Sequence, residues 1–280
     1  MAERTESDHP RGEGRKLVSK ANTQPPSELR VPGVLDDDEM HDMQLQFGVD
    51  EDQVRRDHAI SHALSALSRI DDEILVFFGG TALSRTVLPD LRLSEDIDLI
   101  ARAPRRGVAA FVQETLEETL APILGLPTFA PAIPETRHPD PSVMQVGDIR
   151  VQVQLLDGEG YPAWPTEVID LEQRYSDAPP ARMRTLTPAA FVASKLSSWA
   201  EREASRDLYD LWALSERGYL DEAAAAVFGK YGPFTRASAV SFTRIPTSAE
   251  WDYALGHQCV VQVTPEEAAS AVREALGRLG

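Results

Sequence analysis

Hydrophobic positions divide the chain into two regimes. Short apolar runs alternate with helical spacing as far as about residue 156, and beyond about residue 176 only helical spacing recurs. Val54, Ala59, Ile60, Ala63, Leu64, Leu67 and Ile70 return every three or four positions, which predicts an amphipathic helix over 54–70. Ile74 to Phe78 reads as a short buried strand ending in Gly79-Gly80. Thr81 to Leu88 follows as a short helix stopped by Pro89. Ile97, Leu99 and Ile100 mark a second strand, and 108–120 a second long helix. Residues 121–142, rich in proline, predict a long loop. Ile149, Val151, Val153 and Leu155 then alternate with Arg150, Gln152 and Gln154, the pattern of a half-buried strand.

Past residue 176 the signals are helix starts. Thr187-Pro188 is an N-cap followed by proline at the first helical position, predicting helices over 188–200 and then 204–217. Ala223 to Phe228 is another helical stretch. Thr264-Pro265-Glu266-Glu267 is a capping box that opens a last helix running to about Leu276. Residues 1–33 have no apolar period and predict a disordered tail, and the acidic run Asp36 to Glu39 a solvated loop. The expectation is an α+β fold, with a mixed α/β core over 34–175 and a helical C-terminal part over 176–280.

Composition narrows the classes. No apolar run approaches the roughly 20 residues of a membrane helix, and the N-terminal residues lack a signal-like hydrophobic stretch. The single cysteine, Cys259, excludes an internal disulfide framework and a multi-cysteine zinc site. A cytoplasmic protein with no membrane contact is expected. The net charge of -17 means that any nucleic-acid partner must meet a local basic patch. Arg85, Arg92, Arg102, Arg105 and Arg106 are the candidates for it.

The candidate chemistry lies between the first two strands. Two glycines between strand and helix let backbone amides approach a ligand, the helix start favours phosphate, and Thr81 and Ser84 add hydroxyl donors. Alone, Gly-Gly is also an ordinary turn. Asp96 and Asp98, at i and i+2 on a strand, share one face while Ile97 and Leu99 take the other. Convergent carboxylates repel unless a cation joins them, and their hard oxygens suit Mg²⁺, which nucleotide phosphates can share. A solvated strand face explains Asp-x-Asp equally well in isolation, but the two features in succession are far more specific. His58 and His62 stand at i and i+4 with no third ligand nearby in sequence, so a surface helix face is expected there.

Gly79-Gly80-Thr81-Ala82-Leu83-Ser84, then Arg92-Leu93-Ser94-Glu95-Asp96-Ile97-Asp98-Leu99, resembles the AbiEii-type nucleotidyltransferases, which include the mycobacterial MenT toxins and lie within the DNA polymerase β-like superfamily. A second match follows in the right order, Ser194-Lys195-Leu196 and then Arg206-Asp207-Leu208-Tyr209-Asp210-Leu211. The resemblance implies a polymerase β-like core with Asp96 and Asp98 as ligands of Mg²⁺ or Mn²⁺. It implies Gly79, Gly80, Thr81 and Ser84 on the nucleotide phosphates and Lys195 on the triphosphate. Asp207 is then a second essential acid that orients Lys195 or activates the acceptor, with Asp210, one turn on, as the alternative. Spacing alone makes Lys195 a snorkelling residue and Asp207 and Asp210 surface charges, with Arg206 paired to Asp210.

One departure stands out. Many polymerase β-like enzymes place a third carboxylate on a later core strand, where this chain carries Gln152 and Gln154. The family works without that acid, or Asp148 or Asp157 substitutes, or the enzyme has decayed; the intact lysine and Arg-Asp-x-x-Asp motif favours the first. The resemblance thus implies an NTP-dependent toxin that transfers an NMP, a pyrimidine one, to the 3′ acceptor end of tRNA and is held in check by an antitoxin. The rivals are an enzyme that modifies a protein hydroxyl or an aminoglycoside, and an inactive nucleotide-binding module.

Overall fold

The structure, a computed structural model, describes residues 31–279, so most of the expected N-terminal tail lies outside the described residues. The chain enters through α1 (Asp37–Phe47) and α2 (Glu51–Leu67), then β1 (Leu75–Phe78), α3 (Gly79–Ser84), β2 (Asp96–Ala101) and α4 (Arg105–Leu124). Strands β3 (Thr128–Ala130), β4 (Ser142–Val146), β5 (Ile149–Asp157), β6 (Thr166–Asp170) and β7 (Arg182–Leu186) follow. The remainder is helical: α5 (Pro188–Arg202), α6 (Ser205–Glu216), α7 (Glu222–Tyr231), α8 (Ser248–Leu255) and α9 (Pro265–Arg278).

The strands form one mixed sheet in the order β3-β4-β5-β2-β1-β7-β6. Strand β2 lies in its middle, antiparallel to β1 and parallel to β5. A central strand flanked on both sides and buried on one face has little freedom of register, because a one-residue slip would turn its apolar side chains out of the core. Ile97 and Leu99 point into the core, fully buried with Val151, Val153 and Leu155 of β5. Helices α2 and α4 pack against β5, and α5 to α9 pack on one another through the α5–α7, α6–α9 and α6–α8 contacts.

The acidic run is the start of α1 and not a loop. The Asp36 side chain accepts from the backbone N–H groups of Asp38 and Glu39, and Asp37, Asp38 and Glu39 occupy the first turn, where the helix dipole favours negative charge. The expected loop over 121–142 contains the end of α4, the strand β3 and a 3-10 turn at Ile133–Glu135. Position 176 lies between β6 and β7, which pair antiparallel, so both sides of it contribute to the sheet.

Helix α2 departs most from expectation. His58 and His62 are buried, as are Asp57 and Gln53. The segment before β7 and the end of α3 cover the polar side of α2: Tyr175 Oη donates to Asp57 Oδ2 at 3.0 Å, and Arg85 and Arg174 pair with Asp57 at 2.8 and 3.2 Å. A polar helical stripe is buried at tolerable cost when every charge finds a partner, and here long-range partners supply them.

Candidate active site

Backbone geometry brings the Gly-Gly turn onto the Asp pair. Phe78 at the end of β1 pairs with Asp98 of β2, so the next residue, Gly79, turns directly over that carboxylate. Gly79 has φ of +79°, where side chains are strained, and a Cβ there would overlap Asp98 Oδ2. Gly80 is less crowded, with Ser94 Oγ and an Arg92 nitrogen at 3.0 and 3.1 Å from where its Cβ would sit. Glycine at 79 is therefore required by close approach as well as by conformation. Gly79→Ala should lower the nucleotidyl transfer that the sequence resemblance implies about 100-fold or more by displacing Asp98. It should also destabilise the fold by about 1–2 kcal/mol. Steady-state rates and thermal melts measure the two effects separately.

Asp96 and Asp98 are half-buried and open on a cleft of about 560 Å³, together with Gly79, Gly80, Gln152, Gln154, Lys195, Arg202, Arg206 and Asp207. Gln152 and Gln154 pair in register with Asp96 and Asp98. Asp98 is pushed up to about 7 by burial and then by the charge on Asp96, against the pull of Lys195, Arg202 and Arg206. Burial also raises Asp96, with Arg206 the foremost opposing charge. Two adjacent carboxyls held at high proton affinity on hard oxygen donors form a good cradle for a divalent cation, which relieves both desolvation and mutual repulsion.

Facing this pair is a chain of alternating charges. Arg92 donates to both oxygens of Asp210 at 2.8 and 2.9 Å. Lys195 Nζ stands 2.7 Å from Asp210 and 3.0 Å from Asp207. Arg202 closes the row on Asp207 at 2.7 Å. Asp207 and Asp210 are 0% and 1% exposed and Lys195 is 7% exposed, so all three are buried and the surface reading from spacing fails. Burial alone would raise Asp210, but Arg92 and then Lys195 overcome it and hold the carboxyl down at about 2. Burial is likewise outweighed for Asp207 by Lys195 and Arg202, which lower it, and for Lys195 by Asp210 and Asp207, which raise it. The row of three cations and two carboxylates keeps one net positive charge beside Asp96 and Asp98.

The expected residues do not all converge. Thr81 donates to the carbonyl of Asp96 and Ser84 donates to the carbonyl of Thr81 at 3.0 Å. Both hydroxyls are buried and engaged by backbone, outside the cleft; Thr81 holds β2 against α3 instead. Arg206 is exposed at the cleft and not paired to Asp210, whose oxygens belong to Arg92 and Lys195. The expected basic patch is dispersed. Arg85 is fully buried on Asp57, Arg92 is buried on Asp210, and Arg105 donates to the Leu155 and Thr136 carbonyls at 2.7 and 2.9 Å. Arg102 and Arg106 are exposed but line a different cavity, of about 1110 Å³, with Trp164 and Asp157. Asp148 is exposed and paired with Arg55 at 3.0 Å, and neither it nor Asp157 reaches the cleft.

Sequence reasoning missed Arg202 as a site residue. The signal was present: Lys195, Ser198 and Arg202 stand at i, i+3 and i+7 and share one face of α5. Arg92 as the partner of Asp210 had no local signal, since the two are 118 positions apart.

A carboxylate pair on a central strand, a glycine turn over it and a lysine–aspartate row opposite make up the candidate site. Residues 62–271 match the family described as nucleotidyl transferase AbiEii toxin, Type IV TA system. The chain belongs to that family, and membership implies NTP as substrate and an antitoxin as partner. Among solved structures, the nucleotidyltransferase toxin MenT4 of Mycobacterium tuberculosis H37Rv shares the fold, at a TM-score of 0.65 and 21% identity over 88% of this chain and 90% of that one. A protein of H. pylori assigned as a nucleotidyltransferase follows at a TM-score of 0.49 and 14% identity, over 82% of this chain and 96% of that one. No curated protein matches the chain by sequence. Among the described residues no helix is long and apolar enough to cross a membrane.

Proposed function

We propose that the cleft transfers an NMP, from a pyrimidine NTP, to the 3′ acceptor end of tRNA in the cytoplasm, and so arrests growth until an antitoxin intervenes. One observation carries this reading: Asp96 and Asp98 share the cleft face of the central strand, opposite the charge row that runs from buried Arg92 to exposed Arg202. Asp96 and Asp98 would hold Mg²⁺ or Mn²⁺, which supplies charge neutralisation for the triphosphate. Lys195, fixed between two carboxylates, presents positive charge to the phosphates without reorganising, and preorganised charge of this kind is worth several kcal/mol in the transition state. Gly79 and Gly80 let the backbone approach the same phosphates closely.

In the transfer, the acceptor 3′-oxygen bonds to the α-phosphorus, the bond to the pyrophosphate oxygen breaks, and the hydroxyl proton passes to solvent. Gln152 and Gln154 cannot take that proton. Asp207 and Asp210 are poor bases because Lys195 and the two arginines hold their carboxyls ionised and occupied. They act as positioning residues for Lys195, and this chemistry works without a third acid. The exposed cations at the cleft, Arg202 and Arg206, replace the dispersed arginine patch as the docking surface for an acceptor phosphate.

Incubating the purified chain with each α-labelled NTP and total tRNA tests the reading. Label from CTP or UTP should enter tRNA, and removing the terminal 3′-hydroxyl by periodate oxidation should abolish it. Label entering protein, or an aminoglycoside but not tRNA, moves the acceptor elsewhere. Label from a purine NTP alone overturns the pyrimidine assignment.

A further inference from the structure

His58 and His62 lie one turn apart on α2, and Asp177 reaches them from the segment between β6 and β7. Their ligand atoms converge. The two Nε2 atoms are 3.3 Å apart, and Asp177 oxygens stand 3.0 Å from each of them. All three residues are buried, and none of them lines the Asp96–Asp98 cleft. We propose that His58, His62 and Asp177 form a second metal site, for Zn²⁺ or a dication of the same borderline character, that fastens α2 to the segment preceding β7.

Geometry is the first argument. Ligands about 2.0–2.1 Å from a tetrahedral zinc stand roughly 3.3 Å from one another. The three edges of the His58–His62–Asp177 triangle are close to that length. Proton counting is the second. A neutral imidazole carries one N–H. If both rings bear it on Nε2, two N–H groups oppose each other across 3.3 Å. If one ring does not, its lone pair faces an Asp177 oxygen at about 3.0 Å. A cation at the centre is met by three lone pairs and leaves neither conflict. Nor do two imidazolium rings resolve it: His62 Nδ1 is buried with no partner among the described residues, so a second proton on that ring would be stranded.

The surroundings hold the ligands in place. The Gly33 N–H donates to Asp177 Oδ2 at 2.8 Å and orients that carboxylate, the kind of outer contact that ligating carboxylates use. The Tyr175 ring meets His58 edge-on at 5.0 Å between centroids. Two imidazoles and one carboxylate suit zinc and its neighbours, whereas Mg²⁺ prefers an all-oxygen set such as Asp96 and Asp98. The two sites therefore select different metals, and this inference does not rest on the proposed transfer reaction.

The test uses the full chain in an Asp96→Asn, Asp98→Asn background, so that the cleft carboxylates do not contribute. After chelator treatment and dialysis against Zn²⁺ with excess Mg²⁺, elemental analysis should find one zinc per chain. Zn²⁺ but not Mg²⁺ should raise Tm by about 5 °C or more. Co²⁺ in its place should give the visible absorption of a low-coordinate site with nitrogen ligands. Asp177→Asn, which preserves shape, and His62→Ala should each abolish zinc retention and the Tm response. Because the Tm response is read on a chain with all three ligands intact, a failure of His62→Ala to fold leaves the proposal testable. No bound zinc and no Tm response in that parent chain would overturn it, as would zinc retained in full by a folded Asp177→Asn chain.

Discussion

Asp98→Asn should melt higher than the native chain at pH 8 in the absence of divalent metal, and it should transfer no nucleotide. The carboxyl is raised from 3.8 to about 7, first by burial and second by Asp96. Between those values the folded state holds a proton that the unfolded state has lost. Stability therefore falls as pH rises through that window, and the loss is complete above about 7. The full shift corresponds to about 4 kcal/mol, and the opening of the carboxylate onto the cleft screens it to about 2–4 kcal/mol. Asparagine keeps the shape and removes the charge. The variant should gain about 5–10 °C at pH 8. The gain should shrink as pH falls and vanish near pH 4. Melting curves of both chains across this range give the comparison, and equal melting at pH 8 would contradict the account of Asp98. Under the proposed function the native chain keeps a destabilising charge where a cation would bind, an exchange of stability for activity.

The second large effect separates Lys195 from Asp210. Lys195→Met removes the cation shared by both carboxylates, yet Asp210 keeps Arg92 and Asp207 keeps Arg202. No buried charge is stranded, so stability should fall by no more than about 1–2 kcal/mol. Transfer should drop by about 100- to 1,000-fold, the cost of one preorganised stabilising group. Asp210→Ala does the reverse in structural terms. It leaves Arg92 without its carboxylate and Lys195 with Asp207 alone, and should cost about 3–5 kcal/mol. Asp210 is held at about 2 by Arg92 and Lys195 despite its burial, so its contribution is whole above pH 4 and fades as pH falls toward 2. Denaturant midpoints beside single-turnover rates resolve the pair. Comparable stability losses in the two variants would show that the row is no chain of individually satisfied pairs.

Much of this was legible in the chain, and the exceptions share a cause. Strands β1, β2 and β5 and helices α2, α5, α6 and α9 announce themselves because their apolar periods match their geometry. Strand β2 also shows where its carboxylates lie, since alternation alone puts Asp96 and Asp98 on the face away from Ile97 and Leu99. What stays hidden is decided by distant partners. Strand β6 is an edge strand with little buried surface, and β7 buries only Met183, Thr185 and Leu186, so neither carries a readable alternation. His58 and His62 read as a solvated stripe because Asp177, which meets them, is more than 100 positions away. Lys195 and Asp210 read as surface charges because Arg92 lies on another element. The arginine cluster failed in the same way: neighbours in sequence are drawn apart by carboxylates and carbonyls elsewhere in the fold.

The central claim is that Asp96 and Asp98 hold the metal for nucleotidyl transfer. The most direct measurement follows α-labelled NTP into RNA by the native chain and by Asp96→Asn and Asp98→Asn, each freed of metal and then titrated with Mg²⁺. The account predicts label only with the native chain and only when Mg²⁺ is restored, with half-saturation moving to lower Mg²⁺ as pH rises through about 7, where Asp98 loses its proton. Label transferred at the native rate by either variant, or by the native chain without divalent metal, would contradict it.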